Sequence, residues 1–282
     1  MRYFLILLFF QLSIPATSAG SEYLTRLMTF NIRYASTNDG ENQWEKRKTA
    51  VSELIRFYQP EIFGIQEGLN HQLSFIDEQL PNYTFAGVGR DDGQQKGEYS
   101  ALFYDSTAYA LIKQNTIWLN EGLVPFEKGW DAAFPRICTY ALFKHQQSGQ
   151  KLWVFNTHFD HLGNIAQKES ARLLLQIIDS LNAENDPVVL MGDFNSVPES
   201  GQMTLLTRTF DDSRLSTQKT AYGPEGTYNA FDPSRVLSER IDYVLVKNLT
   251  VLSQIHIDDR RSDQFFISDH LPVMATLLIS AP

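Results

Sequence analysis

Val188-Val189-Leu190-Met191-Gly192-Asp193-Phe194-Asn195 is four apolar residues, then a glycine, then two polar residues around a phenylalanine. The run is too short for an ordinary helix and opens on two β-branched valines, so Val188–Met191 reads as a strand buried on both faces. Such a strand needs layers on either side. Asp193 and Asn195 then stand at its end, where a loop presents polar groups, and alternate residues share a face if the extended backbone continues through Phe194.

The pattern on both sides of this strand repeats its logic. Upstream, Ile165–Ala183 reads as a helix, with Leu174, Ile177, Ile178 and Leu181 at helical spacing and Lys168, Glu169 and Arg172 free to face solvent; Asp186-Pro187 marks its exit. Strands are predicted at Tyr23–Asn31, Ile62–Ile65, Tyr83–Val88, Ser100–Asp105, Ala108–Trp118, Ile137–His145 and Lys151–Asp160, and downstream at Tyr243–Lys247, Thr250–Ile257 and Val273–Ile279. Helices are predicted at Gln43–Tyr58, closed by Pro60, and at His71–Leu80. This alternation predicts layered α/β packing. No Gly/Ser/Pro-rich linker or repeat divides the chain, so one domain is expected over residues 20–282.

Residues 1–19 read as an export signal: Arg2, an apolar run from Tyr3 to Ile14, Pro15, then small residues to Ala19. The run is shorter than the roughly 20 apolar residues a membrane-spanning helix needs, so cleavage and a secreted or periplasmic location are expected. No later segment is long and apolar enough to span a membrane. The sole cysteine, Cys138, lies in an apolar alternation and excludes a disulfide framework. The formal charge is −9, and basic residues are scattered apart from Lys46–Lys48 and Arg260–Arg261. Long nucleic acids favour a basic stripe to neutralise phosphates, and none is visible here.

Polar residues follow one strand after another: Asn31, Gln66-Glu67, His158 with Asp160, Asp193 with Asn195, and Ser268-Asp269-His270 before the last strand, with Asp242 just ahead of another. Asp and Asn often end strands through local hydrogen bonds, and any one cluster has that reading. Six together point to a site. Hard oxygen donors, a group to activate water and cationic groups for a developing phosphorane charge are what phosphoryl chemistry needs. A closed zinc site would instead favour several histidines or cysteines.

In order and spacing, Thr29-Phe30-Asn31, Gln66-Glu67, Asn156-Thr157-His158, Gly192-Asp193-Phe194-Asn195, Arg240-Ile241-Asp242-Tyr243 and Ser268-Asp269-His270 resemble the endonuclease/exonuclease/phosphatase superfamily. The resemblance implies a four-layer α/β sandwich, two mixed sheets face to face with helices outside. It implies a Mg2+ or Mn2+ site at Glu67 and Asn31, joined by Asp269. Asp193 then orients or deprotonates water, Asn195 holds the attacked phosphate, and His270 stabilises phosphate charge with its tautomer fixed by Asp242. His158 matches a residue that positions or protonates the leaving oxygen. Arg136 falls where several branches bind phosphate, its alternative being a surface arginine. Glu98 and Asp160 resemble features of an exported, mostly bacterial branch; both are candidate substrate contacts, Asp160 alternatively bonding within its own loop. Arg33 stands where some nucleases carry an acid, which counts against a second metal.

The same resemblance runs toward deadenylase-like relatives, so a nuclease, either a 3′–5′ exonuclease or an endonuclease, is the most specific version of the expected metal-dependent phosphoesterase. Acidic charge pulls toward a sugar phosphate, inositol phosphate or lipid head group. The substrate is thus a phosphorylated small molecule or a short nucleic acid, and a monomer is expected. A noncatalytic phosphate-binding module is the remaining alternative, disfavoured because no core residue is missing.

Overall fold

The computed structural model describes residues 22–280, so the expected export signal lies outside the described residues. The strands are β1 (Tyr23–Asn31), β2 (Ile62–Gly68), β3 (Tyr83–Ala86), β4 (Tyr99–Asp105), β5 (Tyr109–Trp118), β6 (Ile137–His145), β7 (Lys151–His158), β8 (Val188–Asp193), β9 (Asp211–Asp212), β10 (Asp242–Lys247), β11 (Thr250–His256) and β12 (Val273–Ile279). The helices are α1 (Trp44–Tyr58), α2 (Asn70–Gln79), α3 (Asn164–Leu181), α4 (Gly201–Leu206) and α5 (Ser213–Ser216), with a 3₁₀ turn at Thr37–Asn42.

Two six-stranded sheets form, in the orders β11-β12-β1-β2-β4-β3 and β5-β6-β7-β8-β10-β9. Alternation along each strand builds three cores. Leu27, Ile62, Val154, Val189, Met191 and Ala275 meet between the sheets. Met28, Phe30, Phe63 and Ile65 turn outward onto Val51, Leu54 and Ile55 of α1 and Leu73 and Ile76 of α2. Phe155 and Leu190 turn the other way, onto Leu174 and Ile178 of α3 and Met203 of α4. The layers are therefore helix, sheet, sheet, helix, the expected sandwich. β8 is buried on both faces, which is why its sequence is a continuous apolar run.

Topology gathers the polar clusters at one edge. β1 pairs parallel with β2, and β7 with β8, so Asn31, Glu67, His158 and Asp193 all lie at strand ends of the same sense. β10 and β12 run antiparallel to β8 and β1, so their beginnings reach the same edge: Asp242 stands opposite Asp193, and Thr29 opposite Val273. Beneath that edge a buried amide pair ties the sheets together. Gln66 Nε2 donates to Thr29 Oγ1 and Asn156 Oδ1, while Asn156 Nδ2 donates to the carbonyls of Ile65 and Ala101.

Three features differ from expectation. The 3₁₀ turn, α4, β9 and α5 are too short to show periodicity; local caps hold three of them, with Ser36 Oγ, Ser200 Oγ and the Asp212 carboxylate accepting from Asn38, Met203 and Arg214 N–H. The strand expected to reach Asp160 ends at His158: Phe159 N makes the last ladder bond, to the Asp193 carbonyl, and the Asp160 side chain then accepts from the N–H groups of Leu162 and Gly163 in a turn. Finally, the basic triplet Lys46–Lys48 is no cationic patch. Arg47 is completely buried and donates to the carbonyls of Ile32, Arg33, Asn42 and Ile267, clamping the two loops that carry Arg33 and Asp269. Burial pushes its guanidinium down to about 10.

Candidate active site

Asp193 is the centre, 1% exposed. Its Oδ2 accepts from Asn31 Nδ2 at 3.0 Å and its Oδ1 from Asn195 N at 2.8 Å. Gly192 makes this end of the strand possible: at φ 147° it lies so close to β7 that a Cβ would stand 2.0 Å from the Thr157 carbonyl oxygen. Extended backbone does not continue through Phe194. Asn195 is left-handed, at φ 47°, and reaches the site by turning back, its Nδ2 donating to the Phe159 carbonyl and lying 3.1 Å from His158 Nε2.

Two histidines flank Asp193 Oδ2 at nearly equal distances, His158 Nε2 at 3.5 Å and His270 Nε2 at 3.8 Å. His270 Nδ1 lies 2.9 Å from Asp242 Oδ2; a carboxylate only accepts, so Nδ1 carries a proton. Burial alone would lower the His270 pKa, but Asp242 and Asp193 together hold it well above the ordinary histidine value. His158 Nδ1 lies 3.2 Å from Arg136 NH1, a group that only donates, so its proton sits on Nε2, facing Asp193. Burial, then Arg136, pushes its pKa well below the ordinary value. Asp193 is raised by burial and by Asp242, with His270 opposing.

The acidic wall comes from the first sheet. Glu67, at φ 63°, accepts from Asn31 Nδ2 (3.1 Å) and Tyr34 N (3.1 Å). Asp269 is buried, its carboxyl raised by that burial and further by Glu67. Ser268 Oγ donates to the Asn31 carbonyl and fixes the loop. Arg33 pairs with Asp39 at 3.2 Å and lies 3.8 Å from Glu67 and 3.9 Å from Asp269. Both carboxylates line the cavity and offer oxygen donors of the kind a hard divalent cation takes. Asn31 turns its carbonyl oxygen to Arg33 N–H (3.0 Å) and its NH2 to both Glu67 and Asp193, so here it bridges the two carboxylates. Asp193, Asp242 and His270 also bring ligand atoms within 4.8 Å of one another. With Asp242 on Nδ1 and Asp193 facing Nε2, His270 links the two carboxylates, so the trio can hold a proton as well as offer ligand atoms.

The opposite wall is cationic. Arg136, 6% exposed, lines the cavity and touches His158, His161 Nδ1 (3.1 Å) and Asp160 (3.3 Å). Asp160 is not free to reach a substrate. It accepts from four backbone N–H groups, those of Ala133, Phe134, Leu162 and Gly163, besides Arg136 Nε. Burial would raise it, yet these donors bring it down to about 2. Glu98 lines the cavity paired with Arg90, a residue sequence reading passed over along with Phe134 and His161. The available signal was the Gly89-Arg90-Asp91-Asp92-Gly93 turn, which displays a charge in a constrained loop. The cavity is open to solvent and holds about 860 Å³.

A buried carboxylate between two histidines, with further carboxylates on one wall and arginine on the other at the strand ends of this sandwich, is an arrangement suited to a phosphoric ester hydrolase. Residues 28–270 match the Endonuclease/Exonuclease/phosphatase family, and the chain belongs to it. A member of that family from Bacteroides thetaiotaomicron superposes with a TM-score of 0.88 at 33% identity, over 92% of this chain and 96% of that one. The mannosyl-6-phosphatase Bt3783 of B. thetaiotaomicron VPI-5482 gives 0.85 at 33% identity, over 90% and 99%. Among curated relatives, the CCR4-Not complex 3′-5′-exoribonuclease subunit Ccr4 of Mycosarcoma maydis is 24% identical over 213 residues, 60% of this chain; the match spans about a third (32%) of that protein.

Proposed function

We propose that the chain is an exported, divalent-metal-dependent phosphomonoesterase that releases phosphate from a phosphorylated sugar. The observation carrying this reading is where the positive charge lies: Arg33, Arg136 and His270 are gathered inside one cavity of a chain whose net charge is −9. Such a site takes a small phosphate ester and offers little to a polyanionic strand. Likeness to a mannosyl-6-phosphatase supports it. Export rests on the leader-like residues 1–19.

In this reading Glu67 and Asp269 hold Mg2+ or Mn2+, with Asn31 keeping Glu67 in place. The ion, when bound, supplies positive charge to a phosphate oxygen. Asp193 takes the proton of the attacking water, its burial having raised its basicity. His270, kept protonated by Asp242, donates to an oxygen of the phosphate. Asn195 and Arg136 donate to others, and His158, neutral with its proton on Nε2, serves the leaving oxygen.

The test is inorganic phosphate release from hexose 6-phosphate by residues 20–282 with Mg2+, Mn2+ or chelator, beside a phosphodiester and short RNA and DNA. Metal-dependent release from the hexose phosphate is expected. Consumption of the oligonucleotides with the hexose phosphate untouched would overturn the reading in favour of a nuclease.

A further inference from the structure

Arg90 and Glu98 form a fork-on-fork ion pair, NH1 to Oε2 and NH2 to Oε1 at 2.8 Å each, in the wall beside Arg136 and His158. Burial acts against both partners, pushing the Glu98 carboxyl up and the Arg90 guanidinium down. A buried pair of this kind gains little over apolar packing, so stability alone does not account for its place in a cavity wall. The pair spends two of the five guanidinium N–H groups; Arg90 Nε is buried 3.8 Å from Asp91 Oδ1, which leaves one further N–H on each of NH1 and NH2.

The loop that carries Arg90 is built to hold it still. Arg90 N donates to the Glu98 carbonyl, Asp91 N to that of Lys96, and Trp118 Nε1 to that of Arg90. Gly97 is left-handed, at φ 82°, and a Cβ there would meet the Asp91 carboxylate at 2.5 Å. Phe134, 48% exposed, stands on the rim with its ring 5.4 Å from the Arg90 guanidinium.

We infer that Arg90, Glu98 and Phe134 form the subsite for the polyhydroxylated part of the substrate, a sugar ring, next to the phosphate position. The inference rests on the phosphomonoesterase reading. A second phosphate is a poor occupant, because Glu98 cancels the charge of Arg90 and would repel it. Hydroxyl groups suit the pair, since each both donates and accepts: Glu98 offers lone pairs and Arg90 offers its unspent N–H groups. The exposed part of the Phe134 ring, which also stacks with His161, takes the C–H surface of the sugar.

The experiment compares kcat/KM for hexose 6-phosphate and for phenyl phosphate, which lacks hydroxyls. The variants are the double substitution Arg90→Met with Glu98→Met, which leaves no unpaired buried charge, together with Glu98→Gln and Phe134→Ala. The ratio of the two specificity constants is expected to fall at least about tenfold in the double variant, mostly through KM for the sugar phosphate, and less in the other two. A ratio unchanged within about twofold, in variants that keep the circular dichroism of the parent, would overturn the subsite alone. Failure of the unaltered protein to hydrolyse any hexose phosphate would overturn the phosphomonoesterase reading and the subsite with it.

Discussion

His158 and His270 are the same side chain, both buried, both aimed by Nε2 at one oxygen of Asp193, and they are held in opposite states of charge. The difference lies one residue further out. Behind His270 is Asp242, which keeps a proton on Nδ1; behind His158 is Arg136, which keeps one off it. The site thus has a cation on one flank of its carboxylate and a neutral imidazole on the other, a polarity fixed by the outer partners.

That asymmetry can be broken at several depths. Asp193→Asn removes what both histidines face, and phosphate release should drop on the order of 1000-fold or more, as should release after chelation. Asp242→Asn leaves His270 in place without its counter-charge; kcat measured near neutral pH should fall about 100- to 1000-fold.

On the other flank, Arg136→Met should cost about 10- to 100-fold in kcat/KM, the loss of a charge-assisted contact. It should also raise the His158 pKa toward its ordinary value. The sign is clear: burial still holds the ring below its ordinary value, but without the neighbouring guanidinium the variant ring gains its proton at a higher pH than the parent ring, a difference visible by NMR titration.

Asp160→Asn acts one layer deeper, on the partner of Arg136. The folded carboxyl titrates at about 2, below its unfolded value near 3.9, so its contribution is present above about pH 4 and is lost as pH falls toward 2. At neutral pH the substitution should remove about 2–3 kcal/mol, read by denaturant titration, and the gap from the parent should close on acidification. The smallest effect is expected away from both flanks. Cys138 is fully buried with its thiol pushed far up by desolvation, so thiol reagents should leave the folded protein unmodified and active, and react only on unfolding.

Much of this arrangement was legible in the sequence. β1, β6 and β12 have the bounds that their apolar and β-branched runs predict, because each strand packs on layers that demand those residues. The strand-end positions of Asn31, Glu67, Asp193 and Asp242 followed from the same runs. What escaped were contacts without local pattern. Arg47, within a charged triplet, is buried because carbonyls as distant in sequence as that of Ile267 accept its protons. Arg90 pairs with Glu98 across a turn, whereas the bonding of Asp160 to N–H groups of its own loop is one of the two readings its sequence allowed. Composition reports none of these partnerships; they exist only once the loops are closed. Asn195 is a milder case, since it reaches the site through a left-handed turn where an extended strand was expected.

The most direct test of the asymmetry is a long-range ¹H–¹⁵N spectrum of the histidine rings near neutral pH, with His158 and His270 assigned by substitution. His270 should carry protons on both nitrogens and His158 on Nε2 alone. A neutral His270, or a His158 charged at both nitrogens, would contradict the arrangement of Asp193 between one cation and one neutral ring.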